Sequence, residues 1–416
     1  MEPSTNTFKN YLFFWIGQLC SLLGSSVVQF VVIWWINIET GSPIYLSLAA
    51  FFSMIPMVIL MPVVGVFIDR WNRKWTIAIA DGSQAIITLW LIILFATNNA
   101  DVWPVILINS LRGICQAFHF PTVNAIIPIM IPKDKLSRMN GINYLFTGLI
   151  NAFGPQIGAN LLAFFSISEI MWIDIITFFL AITPLVLIKI PSIIKSEIIT
   201  EKKSYFSEMK FGIKVLRLVP GLLILFVLIS TINFLNMPFN TLMPFYVKYI
   251  HYGNEISYAF VTTLAQIGIV MGAIIASVKK HWNRKELVIL RGILFGFIGY
   301  FLATISPIGN FYIIGIGNLI HASMAPIINT MFLTIIQTRV PKETQGRVFS
   351  IVASIAFGIT PIGMILSGPL AEILGIYLLF YSSLAIELIS TLLVWFFSKV
   401  RFLTDKEHSL EIIEKI

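Results

Sequence analysis

Long apolar segments, separated by short polar breaks, run along the whole chain. Each segment covers about 18 to 28 residues, and about 20 helical residues are needed to cross the hydrocarbon core of a bilayer. The short alternating segments of a membrane β-barrel do not occur in the sequence. The pattern predicts helices near residues 11–36, 44–68, 75–97, 103–130, 139–165, 167–188, 220–248, 254–278, 287–305, 309–338, 346–373 and 375–398.

Composition agrees with lipid as the solvent. The chain has 416 residues, of which 57% are hydrophobic and only 12% are charged, and its mean hydropathy is +0.88. One soluble core does not hide so much apolar surface. The first segment is too long for the core of a signal peptide, so we expect a retained helix. Cys20 and Cys115 lie inside apolar segments, which favours structural thiols over metal ligands.

Basic residues are concentrated in every second break between the apolar segments. Although the net charge is +8, 25 of the 28 Lys and Arg residues lie in the two tails and in every second break. The positive-inside rule then places both termini in the cytoplasm and predicts a multi-pass protein of the cell (inner) membrane. The basic residues are spread over seven short segments rather than one soluble face, so the pattern argues against nucleic acid as a partner.

An internal repeat divides the chain into halves. The sequence Trp-Asn-Arg-Lys at 71–74 recurs at 282–285, and the Pro-x-x-Asn of 121–124 recurs at 326–329, at offsets of about 210 residues. We therefore predict two pseudo-symmetric six-helix bundles with twelve transmembrane helices, at 1–189 and 219–416. The charged linker 190–218 has apolar and basic residues at helical intervals over 203–217, as in an amphipathic helix lying on the membrane.

The break between helices 2 and 3 carries a dense charge motif. Gly65, Asp69, Arg70, Arg73 and Lys74 form Gly-x-x-x-Asp-Arg-x-x-Arg-Lys, which resembles the loop signature of the major facilitator superfamily. The resemblance implies the major facilitator fold and a cytoplasmic gate or latch, in which ion pairs are made and broken as two bundles rock. Anchoring by positive charge alone would account for the bases but not for Asp69.

Helix 5 contains Gly154-Pro155-x-x-Gly158-Ala159. This run resembles the antiporter signature of exporters in the same superfamily, which implies export and a hinge in helix 5. Small residues also let helices cross closely, so packing is the alternative explanation.

Helix 4 narrows the resemblance further. The run from Arg112 through Ala117-Phe118-His119-Phe120-Pro121-x-x-Asn124 is similar to the macrolide-efflux branch of the drug:proton antiporters. The resemblance implies a monomeric secondary exporter of a lipophilic or amphipathic small molecule, coupled to protons and needing no cofactor or metal. A siderophore exporter, a lysophospholipid translocator and a non-transporting sensor or scaffold remain as alternatives. The sequence has no phosphate loop, so primary pumping would need a separate protein. A membrane enzyme is disfavoured, since the sequence has no nucleophile elbow or metal-ligand cluster.

If the fold is right, one face of helices 1, 4, 7 and 10 lines a central cavity. Polar residues occur there at helical spacing, as such a face requires, although polar residues also join transmembrane helices. The candidates for the substrate cavity are Gln18, Ser25, Gln29, Asn109, Gln116, His119, Asn233, Asn236, Asn240, Asn318, His321 and Asn329.

Few ionisable side chains lie inside the predicted helices, and each needs a partner or a purpose in hydrocarbon. Asp81, Arg112 and Asp174 are candidates for proton coupling or for a buried ion pair, with either acid in reach of Arg112. A carboxylate that loses its arginine in one conformation can take up a proton. We expect surface and packing roles for Glu372 and Glu387.

Overall fold

The computed structural model describes residues 5–68, 71–190, 213–279 and 282–403. Within these ranges the chain forms twelve long helices, as predicted. They are α1 (Thr5–Thr40), α2 (Pro43–Ile68), α3 (Arg73–Ala96), α4 (Val102–Met130), α5 (Lys133–Leu162), α6 (Ile167–Leu187), α7 (Leu222–Ile250), α8 (Glu255–Val278), α9 (Lys285–Thr304), α10 (Phe311–Arg339), α11 (Lys342–Leu374) and α12 (Ile376–Phe397). Ten of the described helices are long and apolar enough to cross a membrane by length and composition.

Helix α7 is interrupted. A first segment, Leu222–Leu235, ends at Asn236, and a second, Met237–Phe245, continues into a π-helical turn at Tyr246–Ile250. Pro238 lies just after the interruption, where its missing N–H removes one backbone hydrogen bond. Interrupted membrane helices are common where transporters bind their substrates.

The chain divides into two compact units. Unit 1 comprises Met1–Ser196 with Leu242–Thr263, and unit 2 comprises Glu197–Thr241 with Leu264–Ile416. The end of α7 and the start of α8 therefore group with α1–α6. Within unit 1, the Thr263 hydroxyl donates a hydrogen bond to the Ala152 carbonyl at 2.7 Å. The predicted domain limits at 189 and 219 stay predictions.

The two units have the same internal packing pattern. In unit 1, α1 packs against α5 and α6, and α3 packs against α4 and α6. In unit 2, the first segment of α7 packs against α11 and α12, while α9 packs against α10 and α12. These are the pairings that a parallel repeat of six helices would produce, and they agree with the repeated sequence motifs.

The predicted amphipathic helix of the linker lies mostly outside the described residues. Its last part, 213–218, is helical. Leu216 is buried in the unit 2 core beside Val215 and Val219, while Lys214 and Arg217 are exposed. This part of the linker is therefore amphipathic, and its apolar face packs on protein.

Candidate functional site

The two faces of α3 have opposite character. Ile79, Ile86 and Ile93, spaced seven residues apart, are 59% to 68% exposed, as is usual for side chains that contact lipid. Asp81 and Thr88, also seven apart, are buried on the other face. The helix therefore presents its polar stripe to the interior of unit 1, where α1, α4 and α6 add further polar groups.

Arg112 and Asp174 form a buried ion pair at the centre of this interior. A guanidinium nitrogen of Arg112 lies 3.1 Å from Oδ2 of Asp174, and both side chains are less than 10% exposed. Oδ2 also accepts a hydrogen bond from the Thr88 hydroxyl at 2.6 Å, while Oδ1 accepts one from Ser25 at 2.9 Å. Arg112 donates to the Thr88 hydroxyl at 2.7 Å. Asp174 thus has three donors, and of the two predicted acids it is the one that pairs with Arg112.

Two glutamines extend the network. Gln84 on α3 donates to the Ser25 hydroxyl at 2.9 Å and accepts from the Gln116 amide at 2.8 Å. Ser25 and Gln116 are therefore held by other side chains of unit 1. Gln84 and Thr88 were not among the predicted site residues, because the sequence argument considered only helices 1, 4, 7 and 10. Their spacing of three and seven residues after Asp81 is the signal that could have found them.

Asp81 lies in a second, looser cluster. His119 Nε2 is 3.4 Å from Asp81 Oδ1 and 2.7 Å from the Gln18 amide oxygen. The Gln18 amide nitrogen is 3.5 Å from Asp81 Oδ2. Among the described side chains, no lysine or arginine pairs with Asp81. The two buried acids of unit 1 therefore differ, since Asp174 is tightly held by a cation and Asp81 is not.

The loop motif is only partly described. Asp69 and Arg70 lie outside the described residues, and Gly65 is placed only by its position in α2. Lys74 Nζ donates to the carbonyls of Val186 and Ile188, at 2.6 and 2.8 Å. A cation there satisfies free carbonyls at the end of α6 and opposes the negative end of its dipole. Lys74 thus anchors α6, while the gate or latch assigned to Gly65, Asp69, Arg70, Arg73 and Lys74 stays a prediction.

The small residues of α5 lie against α1. A Cβ on Gly154 would come within 2.7 Å of the Ser26 Cβ, and one on Gly158 would lie 3.0 Å from the Phe30 ring. Pro155 lies inside α5, which continues past it to Leu162. Close packing therefore accounts for both glycines, and a hinge at this point stays a prediction.

Unit 2 contains a cavity of about 190 Å³. Five predicted substrate residues border it, namely Asn233, Asn236, Asn240, His321 and Asn329. Glu387 borders it as well, although the sequence argument gave this residue a surface or packing role. Glu372 is exposed, as expected, but Glu387 is only 1% exposed and reaches the cavity from α12. The cavity position of Glu387 was not predicted, because position along a helix does not reveal which way a side chain faces.

The remaining candidates do not border this cavity. Asn109 and Asn318 are buried, and Gln29 is half-buried. Their role in a substrate cavity stays a prediction.

Comparisons with known proteins agree with this architecture. The family profile described as Major Facilitator Superfamily matches residues 14–361. Macrolide efflux protein A of Streptococcus pyogenes is 26% identical over 376 residues, covering 90% of this chain and 93% of the relative. The Staphyloferrin A transporter of Staphylococcus aureus is 23% identical, covering 95% and 98%.

Solved structures give the same fold. The crystal structure of the nucleoside transporter NupG superposes with a TM-score of 0.74 at 10% identity, covering 93% of this chain and 99% of that one. The predicted resemblance to macrolide-efflux transporters is confirmed by the relatives. The profile spans most of the chain, which therefore belongs to the major facilitator superfamily and is a multi-pass membrane transporter rather than an enzyme.

Proposed function

We propose that the protein is a proton-coupled exporter of lipophilic or amphipathic small molecules. Asp81 carries the proposal, because it is a buried carboxylate whose partners among the described residues are an imidazole and an amide, at 3.4 and 3.5 Å. An ionised carboxylate inside the membrane is costly unless a cation or strong donors compensate it. Asp81 lacks the compensation that Asp174 receives from a guanidinium and two hydroxyls, and it is therefore our candidate for the proton carrier.

Export is supported by the relatives and by α5. Macrolide efflux protein A is similar along nearly the whole chain, and the Gly154-Pro155-x-x-Gly158 run resembles the antiporter signature. In an antiporter, proton entry drives cargo out through alternate opening of one site to the two sides. Because 25 of the 28 basic residues fall in alternate breaks and the tails, we infer that both termini are cytoplasmic.

Siderophore export is the second candidate, because the Staphyloferrin A transporter is also similar over 95% of the chain. The unit 2 cavity disfavours it for an anionic chelate. Glu387 borders this cavity, and no lysine or arginine is found among the described residues that line it. The carboxylate would repel an anionic cargo, because no cation of the described lining compensates the charge. It would not repel a neutral or cationic amphiphile.

The test uses purified protein in liposomes that hold a pH dye in the lumen. A macrolide, a cationic dye and a lysophospholipid are added separately under an imposed pH gradient. We expect cargo-dependent proton flux with at least one of them. The Asp81→Asn variant should lose the proton flux but still exchange labelled cargo across the membrane when no gradient is present.

Asp101→Asn is the matched control, because Asp101 is exposed at the start of α4 and its side chain caps no backbone group. It should behave as wild type. Absence of proton flux with every cargo would count against antiport. Unchanged flux in both Asp81→Asn and Asp174→Asn would remove these acids from the coupling mechanism.

A further inference from the structure

Glu387 lies near the middle of α12, about 16 Å along the helix from its first residue. Its side chain is 1% exposed, and its Oε2 atom has no hydrogen-bond partner in the described structure. Among the described residues, no ion pair includes it. A carboxylate in this setting needs either a proton or a positive ligand.

A second acceptor borders the same cavity. The Oδ1 atom of Asn236, at the interruption of α7, is also buried without a donor among the described groups. His321 adds a third, because its Nδ1 lies 3.0 Å from the Gly296 carbonyl. A carbonyl only accepts, so Nδ1 carries the hydrogen, and Nε2 of the neutral ring is an acceptor. Besides its asparagine amide donors, the described lining thus offers these three acceptors, with no lysine or arginine opposite them.

We propose that the unit 2 cavity binds the protonated amine of an amphiphilic cargo, with Glu387 as the counter-charge and the Asn236 amide oxygen as a second acceptor. An ammonium group carries only donors, so it matches both unsatisfied atoms at once. The proposal rests on the proposed function, in which the cargo is amphipathic, and it names the charge of that cargo.

The rest of the lining suits the apolar part of such a molecule. Ile232, Ile269 and Met324 border the cavity together with Gly292 and Gly296. At about 190 Å³, the space fits an amine with a ring or a short chain rather than a whole large amphiphile. The cavity is therefore the subsite for the amine-bearing end of the cargo.

The test measures equilibrium binding to the full chain in nanodiscs by isothermal titration at pH 7. The first probe is 2-phenylethylamine, which is protonated at this pH because primary alkyl amines resemble lysine. The second is 2-phenylethanol, which keeps the skeleton and a hydrogen-bond donor but lacks the charge. We expect the amine to bind wild type more tightly than the alcohol does.

Glu387→Gln is the test variant, and Glu372→Gln is its control, since Glu372 is an exposed acid that does not border the cavity. Glu387→Gln should weaken amine binding by about tenfold or more and leave alcohol binding within about twofold of wild type. Preserved alcohol binding also shows that the variant is folded. Asn236→Leu should weaken both probes, because it removes an acceptor for either donor.

An unchanged amine affinity in Glu387→Gln would overturn the proposal and leave Glu387 as a proton carrier only. Equal weakening of both probes by Glu387→Gln would also overturn it, because the substitution would then act through the shape of the cavity and not through its charge. The binding assay does not require transport. If Glu387→Gln loses the preference for the amine but wild type shows no proton flux, antiport alone is refuted. If wild type shows proton flux but Glu387→Gln binds the amine as wild type does, this inference alone is refuted.

Discussion

The Arg112–Asp174 pair leads to a prediction about the stability of unit 1, because Asp174 has other strong hydrogen-bond donors whereas Arg112 depends mainly on Asp174. If Arg112 is replaced by Met, Asp174 still has two hydroxyl donors, Ser25 and Thr88. If Asp174 is replaced by Asn, the amide oxygen and the Thr88 hydroxyl can still accept from Arg112, but the anion that balances its charge is gone. Removing the acid therefore leaves a buried cation with less compensation.

The structure sets the expected magnitudes. Leaving one member of a buried ion pair without its partner costs about 3–5 kcal/mol of the free energy of unfolding, and we expect this cost for Asp174→Asn. A carboxylate that keeps two donors loses about one charge-assisted hydrogen bond, or about 1.5–3 kcal/mol, which we expect for Arg112→Met. The double variant should cost at least about 1 kcal/mol less than the sum, because neither charge remains.

The assay is reversible unfolding in mixed micelles by titration with sodium dodecyl sulfate, followed by far-ultraviolet circular dichroism. Thr183→Val on the exposed face of α6 serves as the control, because the partner of its hydroxyl among the described groups is the Phe179 carbonyl of its own helix. It should change stability by less than about 0.5 kcal/mol. Equal costs for the two single variants, or simple additivity in the double, would refute the view that this pair holds unit 1 together.

Two further predictions concern helix contacts. Lys74→Met should lower the free energy of unfolding by about 1–2 kcal/mol, because two carbonyls at the end of α6 lose their donor, while Arg73→Met should change it little; the same titration measures both. Gly272→Ala should lower the apparent melting temperature, since its Cβ would collide with the Ser323 backbone carbonyl on α10. Gly82→Ala should raise or keep it, because nothing lies within 4 Å of that position and Ala favours the helix. A loss of stability in Gly82→Ala as large as that in Gly272→Ala would contradict the contact argument.

The fold was largely predictable from the sequence, because apolar length and charge placement are strong local signals. The limits of the helices differ from the predicted ones by a few residues. The largest differences are at the start of α1, at Thr5 rather than near residue 11, and at the start of α5, at Lys133 rather than near residue 139. The grouping of Leu242–Thr263 with unit 1 was not predicted, since a repeat shows where a duplicated segment begins and ends but not which contacts its parts make.

The site was predictable by residue type but not by pairing. The polar spacing on α4 indicated Arg112, Gln116 and His119, and all three belong to the unit 1 networks. Depth along the helices left both Asp81 and Asp174 in reach of Arg112, because depth carries no information on helix rotation. The cavity position of Glu387 was missed for the same reason, as only packing reveals that its face of α12 borders a cavity.

The two repeats should differ in how freely their buried charges can change. Arg112 and Asp174 are paired in unit 1, while Glu387 of unit 2 has no ion-pair partner among the described residues. Each change around Arg112 disturbs several bonded neighbours, so variants there are expected to be lost through misfolding before selection can act on them. Around Glu387, side chains such as Asn233 and Asn240 border open space and can vary at smaller cost. Under laboratory selection for resistance to new toxic compounds, the first adaptive substitutions should therefore appear in the second repeat.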